Sequence, residues 1–271
     1  MTFRPNYSQV LRRLNRNQRI VDREVMSIYR QTLGEIRQEI ARIYEKHAVG
    51  GRITQAEIGK YNRLTNLEKD INKIVGHGTQ RARATIEAAT RKTFVQSADL
   101  YAQAIEQAAG RQLPFGRINP RMVRAATDNP LEKIAMDRLR NLSQERIRRA
   151  IAQGIIRGDD FTRMAREIRS AINGNASDAL RIARTEGHRA QIEGHLHRTN
   201  ELIEKGATIT KVWVSAEDDR TREDHRIMNE VEAKDGIFRL PDGATAEAPG
   251  LTGEAHHDIN CRCTYEEIIE L

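Results

Sequence analysis

The sequence predicts a mainly helical α+β protein, in which a long helical N-terminal body precedes a small C-terminal α+β module containing a short sheet. Through most of the first 205 residues, apolar side chains recur at three- and four-residue steps, which is the period of a helix face. After Gly206 this period gives way to short β-rich segments separated by turn residues. Aromatic residues make up only 4% of the chain, so aliphatic side chains on helices must form most of the core.

The first predicted region, residues 1–128, consists of long amphipathic helices. An apolar stripe extends from Val21 to Ile43 and is followed by a pair of glycines. Thr54 and Glu57 then form a capping box, in which each side chain bonds an amide at the start of the next helix. Short glycine turns between such helices favour an antiparallel arrangement.

Glycine and proline divide the rest of this region. Gly76 and Gly78 are predicted to end the second helix, and an alanine-rich third helix over 79–109 is predicted to end at Gly110. Residues 112–129 contain proline, glycine and several polar side chains. They are therefore predicted to form a connector or a packed irregular loop.

The second predicted region, residues 129–206, is a helical linker or body. Pro130 follows an asparagine and begins a helix at the position where its missing amide costs nothing. Weak breaks after Leu142, at Gly158 and before Ser177 divide the region into shorter helices.

The third region, residues 207–271, is the α+β module. Strands are predicted at 209–214, 236–240 and 263–265, with a helix over 222–231 between the first two. A small module of this kind needs its polar residues to hold the loops between these short elements.

The charge of the chain is divided unevenly. Residues 1–150 carry 29 Lys and Arg against 15 Asp and Glu, a net charge of +14, whereas residues 151–271 carry 16 against 23, a net charge of −7. A strongly basic half concentrates near polyanions, and phosphate is the commonest of these. The N-terminal half is therefore a candidate surface for double-stranded DNA, although a solvated arginine-rich helix face has the same composition.

No apolar stretch approaches the roughly 20 residues of a membrane span, and the first ten residues lack the apolar core of a signal peptide. A soluble protein made in the cytoplasm, without a membrane partner, is expected. The cysteines, Cys261 and Cys263, are separated by one residue, a spacing poorly suited to a structural disulfide. They are interpreted as metal ligands or as free thiols.

The most informative residues lie in four short segments of the last third of the chain. In chain order they are Arg184, Thr185 and Glu186 on a helix; Trp213 on a strand; Asp218, Asp219, Arg220, Arg222 and His225 beyond that strand; and Asn260 beside the two cysteines. A sheet that contains the first and last strands of the module would bring these segments together. Any one of the segments is a weak signal, but several in order are specific.

This set resembles the signature of the phage Mu F-like, or phage head-morphogenesis, family of minor head proteins. The resemblance covers about residues 140–271 and includes Asp235-Gly236 before a short strand and the closing segment from Ile259 to Cys263. Asp218 has the spacing of the family's aspartate, and Asp219 beside it is an alternative. The first 130 residues are similar only in being helical.

The resemblance implies a minor structural component of a phage head, made in the host cytoplasm and located in the virion near the portal vertex. Portal, capsid or scaffold proteins of the same phage would be its partners, and some relatives are thought to leave the head with the DNA. No catalytic role is implied. The basic N-terminal half is consistent with a position beside packaged DNA.

A zinc site is the sharpest chemical hypothesis from the residues themselves. His225, His257 (or His256), Cys261 and Cys263 offer the nitrogen and sulfur ligands that tetrahedral Zn²⁺ prefers. The alternative is that the cysteines are small apolar residues of a strand while His225 makes loop contacts. Six charged residues are also candidates for a buried ion-pair network that fixes helix to sheet: Arg184, Glu186, Asp219, Arg220, Arg222 and Asp258.

Two rival functions remain at this stage. A metal-dependent nuclease or hydrolase would use His225, His256, His257 and Asp258, with a general base beside a metal-bound water. A stand-alone DNA-binding protein would show affinity that falls steeply with salt. The sequence contains no Walker loop, dinucleotide-binding glycine motif or H-E-x-x-H motif, which favours a structural protein.

Overall fold

The computed structural model describes residues 1–271, with the side chains of residues 1–60, 62–129 and 131–271. The helices are α1 (Ser8–His47), α2 (Gln55–Gly59), α3 (Arg63–Ala109), α4 (Pro120–Thr127), α5 (Pro130–Arg157), α6 (Phe161–Glu204), α7 (Glu223–Ile227) and α8 (Ala255–Asp258). The strands are β1 (Thr2–Phe3), β2 (Thr208–Val214), β3 (Phe238–Arg239), β4 (Thr245–Ala246) and β5 (Thr264–Glu270). The predicted class, mainly α with a small C-terminal α+β module, is confirmed.

The predicted break at Gly76 and Gly78 is wrong, because α3 continues through both glycines. A glycine inside a helix costs only about 1 kcal/mol relative to alanine, so packing can override it. At Gly78, a Cβ atom would lie 2.3 Å from Oγ1 of Thr32 on α1. Glycine at this position allows α1 and α3 to approach closely. Helix packing therefore explains the presence of Gly78, which the sequence pattern suggests is a helix end.

Helices also continue through two of the other predicted breaks. Helix α5 passes through Leu142, and α6 passes through Ser177, so long helices replace the shorter ones expected. The break at Gly158 is confirmed, since this residue has φ of 67° between α5 and α6. Residues 112–129 contain α4, which was expected to be irregular. Its cap is Asn119, whose side-chain oxygen accepts a hydrogen bond from the Arg121 amide at 2.8 Å.

The main sheet of the module joins both ends of the chain. Its order is β1-β5-β2, and both pairs are antiparallel. Seven residue pairs connect β2 to β5, including Trp213 with Tyr265, and β1 pairs at the far end, where Phe3 lies opposite Ile269. Strand β5 was expected to be short, and β1 was not expected. A two-stranded ribbon of β3 and β4 accompanies this sheet.

The chain forms two compact units that are each discontinuous in sequence. The first comprises residues 1–20, 87–129 and 183–271, and the second comprises residues 21–86 and 130–182. Helices α1, α3 and α6 each contribute residues to both units. The three consecutive regions expected from the sequence, 1–128, 129–206 and 207–271, therefore do not coincide with the compact units.

One apolar cluster of the first unit lies in the module, and another includes Ile269 of the main sheet. The module cluster comprises Ile192, Trp213, Met228, Phe238, Leu240, Ala244, Ala248, Cys261, Cys263 and Tyr265. The other comprises Tyr7, Val10, Leu14, Tyr101, Ile105, Leu202 and Ile269. Close helix packing supports them: a Cβ atom at Gly194 of α6 would lie 2.4 Å from the carbonyl oxygen of Phe94 on α3. Real Cβ atoms do not approach backbone this closely, so glycine is required there.

The second unit is built mainly from aliphatic side chains, and its buried residues include the carboxylate of Asp159. Its fully buried residues include Val25, Ile36 and Ile151. Asp159, in the turn between α5 and α6, is only 4% exposed and accepts a hydrogen bond from Arg157 Nη2 at 2.8 Å. This hydrogen bond lowers the pKa of Asp159 despite the opposing effect of burial. Among the described residues, no helix combines the length and the apolar character needed to cross a bilayer.

Candidate functional site

Helix α7 and the segment before β5 bring one histidine and two cysteines together inside the first unit. Nδ1 of His225 lies 3.7 Å from Sγ of Cys261 and 3.5 Å from Sγ of Cys263. His225 is 1% exposed and each cysteine is 2% exposed. The ligand atoms of these three residues all lie within 4.8 Å of one another, which is compatible with a single shared ion.

The other ring nitrogen of His225 begins a chain of hydrogen bonds that leads to the surface. Nε2 of His225 lies 3.1 Å from Nδ1 of His257, and Nε2 of His257 lies 2.7 Å from a carboxylate oxygen of Asp242. His257 is fully buried, whereas Asp242 is exposed in the turn between β3 and β4. His257 therefore lies behind His225, and both of its nitrogens are engaged away from the cysteines.

The protonation of the thiols and of Asp242 follows from these contacts. The contact with Cys261 lowers the pKa of Cys263, whereas the same contact with Cys263 raises the pKa of Cys261. Of the two thiols, Cys263 is therefore the one that ionises more readily. The amide of Ala244, and then His257, lowers the pKa of Asp242 to about 2, so this carboxylate is ionised at neutral pH.

His188 of α6 lies beside the same cluster. A Cβ atom built on Gly250 would be 3.2 Å from Nε2 of His188 and 3.7 Å from Cβ of Cys261. Burial lowers the pKa of His188 to about 4, so the ring is neutral near pH 7. Its Nε2 atom is buried and has no hydrogen-bond partner among the described residues. His188 was not predicted from the sequence, because a single histidine on a helix has no characteristic spacing to other ligands.

Asp218 and Asp219, the two candidates for the signature aspartate, differ in their contacts. Asp218 pairs with the guanidinium of Arg262 through both carboxylate oxygens, one of them 2.6 Å from Nη2. Asp218 also accepts hydrogen bonds from the Arg220 amide at 3.0 Å and from the Thr221 hydroxyl at 3.3 Å. The Arg262 contact holds the pKa of Asp218 well below its usual range. Asp219 is exposed, so Asp218 is the structured residue of the two.

The Arg-Thr-Glu segment makes local contacts of a structural kind. Oγ1 of Thr185 accepts a hydrogen bond from the Asn260 amide at 3.1 Å, which ties α6 to the segment before β5. The two carboxylate oxygens of Glu186 accept hydrogen bonds from Asn129 at 2.9 Å and from Arg189 at 3.1 Å. Arg189 also donates to the carbonyl oxygen of Ala126 at 2.7 Å, so this pair holds the end of α4. Arg184 is exposed on α6.

The remaining signature residues hold the loops around the cysteines. Arg222, at the start of α7, donates to the carbonyl oxygen of Ile259 at 2.5 Å. Asn260 adopts a left-handed backbone with φ of 56°, which asparagine tolerates better than most residues. The carboxylate of Asp258 accepts hydrogen bonds from the amides of Thr252 at 3.1 Å and Gly253 at 2.9 Å.

The six charged residues do not form the single buried ion-pair network that was expected of them. Glu186 and Asp258 are engaged at separate places, while Asp219 and Arg220 are exposed. Arg222 and Asp258 contact backbone groups, whereas Glu186 pairs with Arg189, a residue outside the expected set. Arg262 and Asp242 make decisive contacts that the sequence analysis did not anticipate. Arg262 lies within the Cys-Arg-Cys segment, whereas Asp242 had no signal beyond a turn sequence.

A second polar cluster in the first unit surrounds Glu267 of β5, which is fully buried. Its carboxylate accepts hydrogen bonds from the hydroxyls of Tyr7 and Thr199 and lies 3.1 Å from Nε2 of His195. The ring of His195 stacks against that of Tyr265 at 4.1 Å. This cluster connects the start of α1, the end of α6 and β5, and its residues were not singled out from the sequence.

Comparisons with known proteins support the class expected from the signature residues. Residues 145–266 match the family model described as Phage Mu protein F like protein. This match supports the resemblance of the chain to the phage Mu F-like family of minor head proteins. The chain is also similar to the minor head protein GP7 of Bacillus phage SPP1. The two are 28% identical over 259 residues, which cover 92% of this chain and 82% of GP7.

A second relative carries a different name. The chain is 27% identical over 260 residues to a protein of Enterococcus faecalis named NAD(+)--arginine ADP-ribosyltransferase EFV. This match covers 94% of the chain but 52% of EFV, so the chain spans about half the length of that relative. No solved structure shows significant similarity to the chain.

Proposed function

We propose that this protein acts in the assembly of a phage head at or near the portal vertex, in contact with portal, capsid or scaffold proteins. The observation that carries the proposal is the similarity to a minor head protein along almost the whole chain. Thr185 of α6 accepts a hydrogen bond from the Asn260 amide of the module, and Arg222 donates to a backbone carbonyl there, which suits a rigid docking unit. Long helices with thin aliphatic cores offer extended surfaces to partners.

A structural role is favoured over catalysis. Both carboxylate oxygens of Glu186 and the hydroxyl of Thr185 are occupied by contacts that hold α4 and the segment before β5. Almost half of EFV lies outside the match, so its named activity does not transfer to this chain. His225 and His257 of the proposed hydrolase are buried, and Asp258 is occupied by backbone amides.

The location can be tested on purified heads. A reconstruction of the unique vertex without imposed icosahedral symmetry is expected to show density for this protein at or beside the portal, in few copies. Co-purification of the tagged full chain with the portal protein of the same phage is the companion experiment. Even distribution over the capsid lattice, or absence from purified heads, would contradict the proposal.

We also propose that α1 contacts packaged DNA. Exposed arginines recur at steps of three, four and seven residues, which place them on one helix face: Arg12, Arg16, Arg19, Arg23, Arg30 and Arg37. Within the part of the chain that the structure describes, none of these six arginines forms an ion pair. Three belong to the first unit and three to the second. Within each unit, the three unpaired guanidinium groups are suited to the phosphates of a duplex, which occur once per about 1.7 Å of its axis.

Changing Arg12, Arg16 and Arg19 together to glutamine is expected to weaken binding to double-stranded DNA and to reduce its salt dependence. Each lost phosphate contact lowers the slope of log K against log salt by about 0.9, so the triple change should lower it by about 3. Fluorescence anisotropy of a labelled duplex at several salt concentrations measures this slope.

The matched control removes the same charge from arginines already paired on a helix surface: Arg42, Arg140 and Arg149. This variant is expected to keep a slope close to that of the unmodified protein. Equal slopes for the two triple variants would show that the α1 face has no special part in DNA contact.

A further inference from the structure

We propose that His225, Cys261 and Cys263 bind one Zn²⁺ ion, which fastens α7 to the segment that precedes β5. Zinc bonds sulfur at about 2.3 Å and imidazole nitrogen at about 2.0–2.1 Å, so tetrahedral angles separate a nitrogen and a sulfur ligand by about 3.6 Å. The two distances from Nδ1 of His225 to the sulfur atoms are 3.7 Å and 3.5 Å. Both nitrogen-to-sulfur distances thus already match those of ligands that share a zinc ion.

The hydrogen-bond chain behind His225 provides the correct tautomer. Asp242 is ionised and only accepts, so Nε2 of His257 must carry the proton between them. Nδ1 of a neutral His257 is then an acceptor, and Nε2 of His225 must donate to it. In neutral His225 this leaves Nδ1 with a free lone pair, directed at the two sulfur atoms. Zinc-bound histidines are commonly oriented in this way by an acceptor at their other nitrogen.

His257 therefore has a different role from the one expected of it. It was a candidate ligand, but its nitrogens contact His225 and Asp242 and lie away from the sulfur atoms. It is a positioning residue for His225. His256, next to it, is 61% exposed at its side chain and contacts Asp242 at 3.3 Å without reaching the cluster. The two adjacent histidines thus offer a matched pair for experiment.

The fourth position is assigned to a water molecule. The ligand set contains three protein atoms, and a tetrahedral ion takes four. Nε2 of His188 is a buried acceptor beside Cys261 that lacks a donor among the described residues. Buried acceptors are nearly always satisfied by protein or by water. A zinc-bound water would donate to this nitrogen and so provide the hydrogen-bond partner that it lacks among the described residues.

Elemental analysis of the full chain, purified without chelators and equilibrated with Zn²⁺, is expected to find about one zinc ion per chain. His225→Ala and Cys263→Ser are expected to reduce zinc to near zero, whereas His256→Ala should retain it. His257→Ala should still bind zinc but with an affinity about 10- to 100-fold lower in chelator competition.

Replacement of zinc by Co²⁺ in the unmodified protein gives a readout that does not depend on variants that fold poorly. Cobalt–thiolate absorption in the near ultraviolet is expected, with the visible bands of a tetrahedral ion. A zinc content near zero in the folded protein would overturn the proposal. So would retention of zinc by His225→Ala, or an equal loss of affinity in His256→Ala and His257→Ala.

Discussion

Replacing Glu267 with alanine is expected to lower the free energy of unfolding by about 3–5 kcal/mol, because each buried polar group that loses its partner costs about 1–3 kcal/mol. The carboxylate is the shared acceptor of Tyr7, Thr199 and His195, all of which are buried. Its loss removes this shared acceptor from the core of the first unit. Urea unfolding followed by circular dichroism measures the effect.

Glu266 provides the control, because it precedes Glu267 on β5 and points to the opposite, exposed face. Glu266→Ala is expected to change the free energy of unfolding by less than about 0.5 kcal/mol. Comparable effects of the two substitutions would contradict the importance assigned to the buried carboxylate.

The effect of Glu267 should depend on pH. Burial opposes its ionisation, but interactions with His195, Thr199 and Tyr7 prevail and keep the pKa of Glu267 below its ordinary value. The folded state therefore binds this proton more weakly than the unfolded chain does. The stabilisation is fully present above the ordinary glutamate pKa of about 4.3 and is lost as pH falls through the lower folded-state value. The difference between the unmodified protein and Glu267→Ala should accordingly decrease in acid.

The second large effect is expected for Trp213→Ala, at about 3–5 kcal/mol of unfolding free energy. Trp213 is fully buried in the module and packs edge to face against Phe238 at 5.2 Å and His225 at 5.5 Å. Truncation leaves a large cavity at the centre of a small core, and few neighbouring side chains can fill it. Thermal or urea unfolding followed by circular dichroism is the measurement.

Val212→Ala is the matched substitution on β2, because Val212 is half-buried and lies on the opposite face of the strand. It is expected to cost clearly less than Trp213→Ala. Trp213→Ala should also weaken zinc binding, because it removes the packing against His225. Val212→Ala should not have this effect. If the two variants unfold at the same urea concentration, Trp213 does not have the central place assigned to it.

Much of the fold could be predicted because helix periodicity and β-rich segments are local properties. The apolar stripe of α1 and the strand at Trp213 both appeared where the sequence indicated them. The errors concern where helices end. Gly76, Gly78 and Ser177 favour a helix boundary locally, but long helices with tertiary packing absorb costs of about 1 kcal/mol each.

The candidate site was predictable in its residue types but not in its connections. Cys261, Cys263 and His225 were chosen because thiolate and imidazole are zinc ligands. The roles of His257 and His188 required coordinates, because each depends on which ring nitrogen faces which neighbour. Asp218 could be separated from Asp219 only by its pairing with Arg262.

The sequence by itself determined the class of the fold, the uneven charge and the order of the signature segments, since these depend on composition and local pattern. Only the tertiary structure decided that the first residues pair with the last strand and that Glu267 is a buried acceptor. Only the tertiary structure also turned His257 into a support for His225. These features include contacts between residues 260 or more positions apart, and such contacts have no local pattern to reveal them.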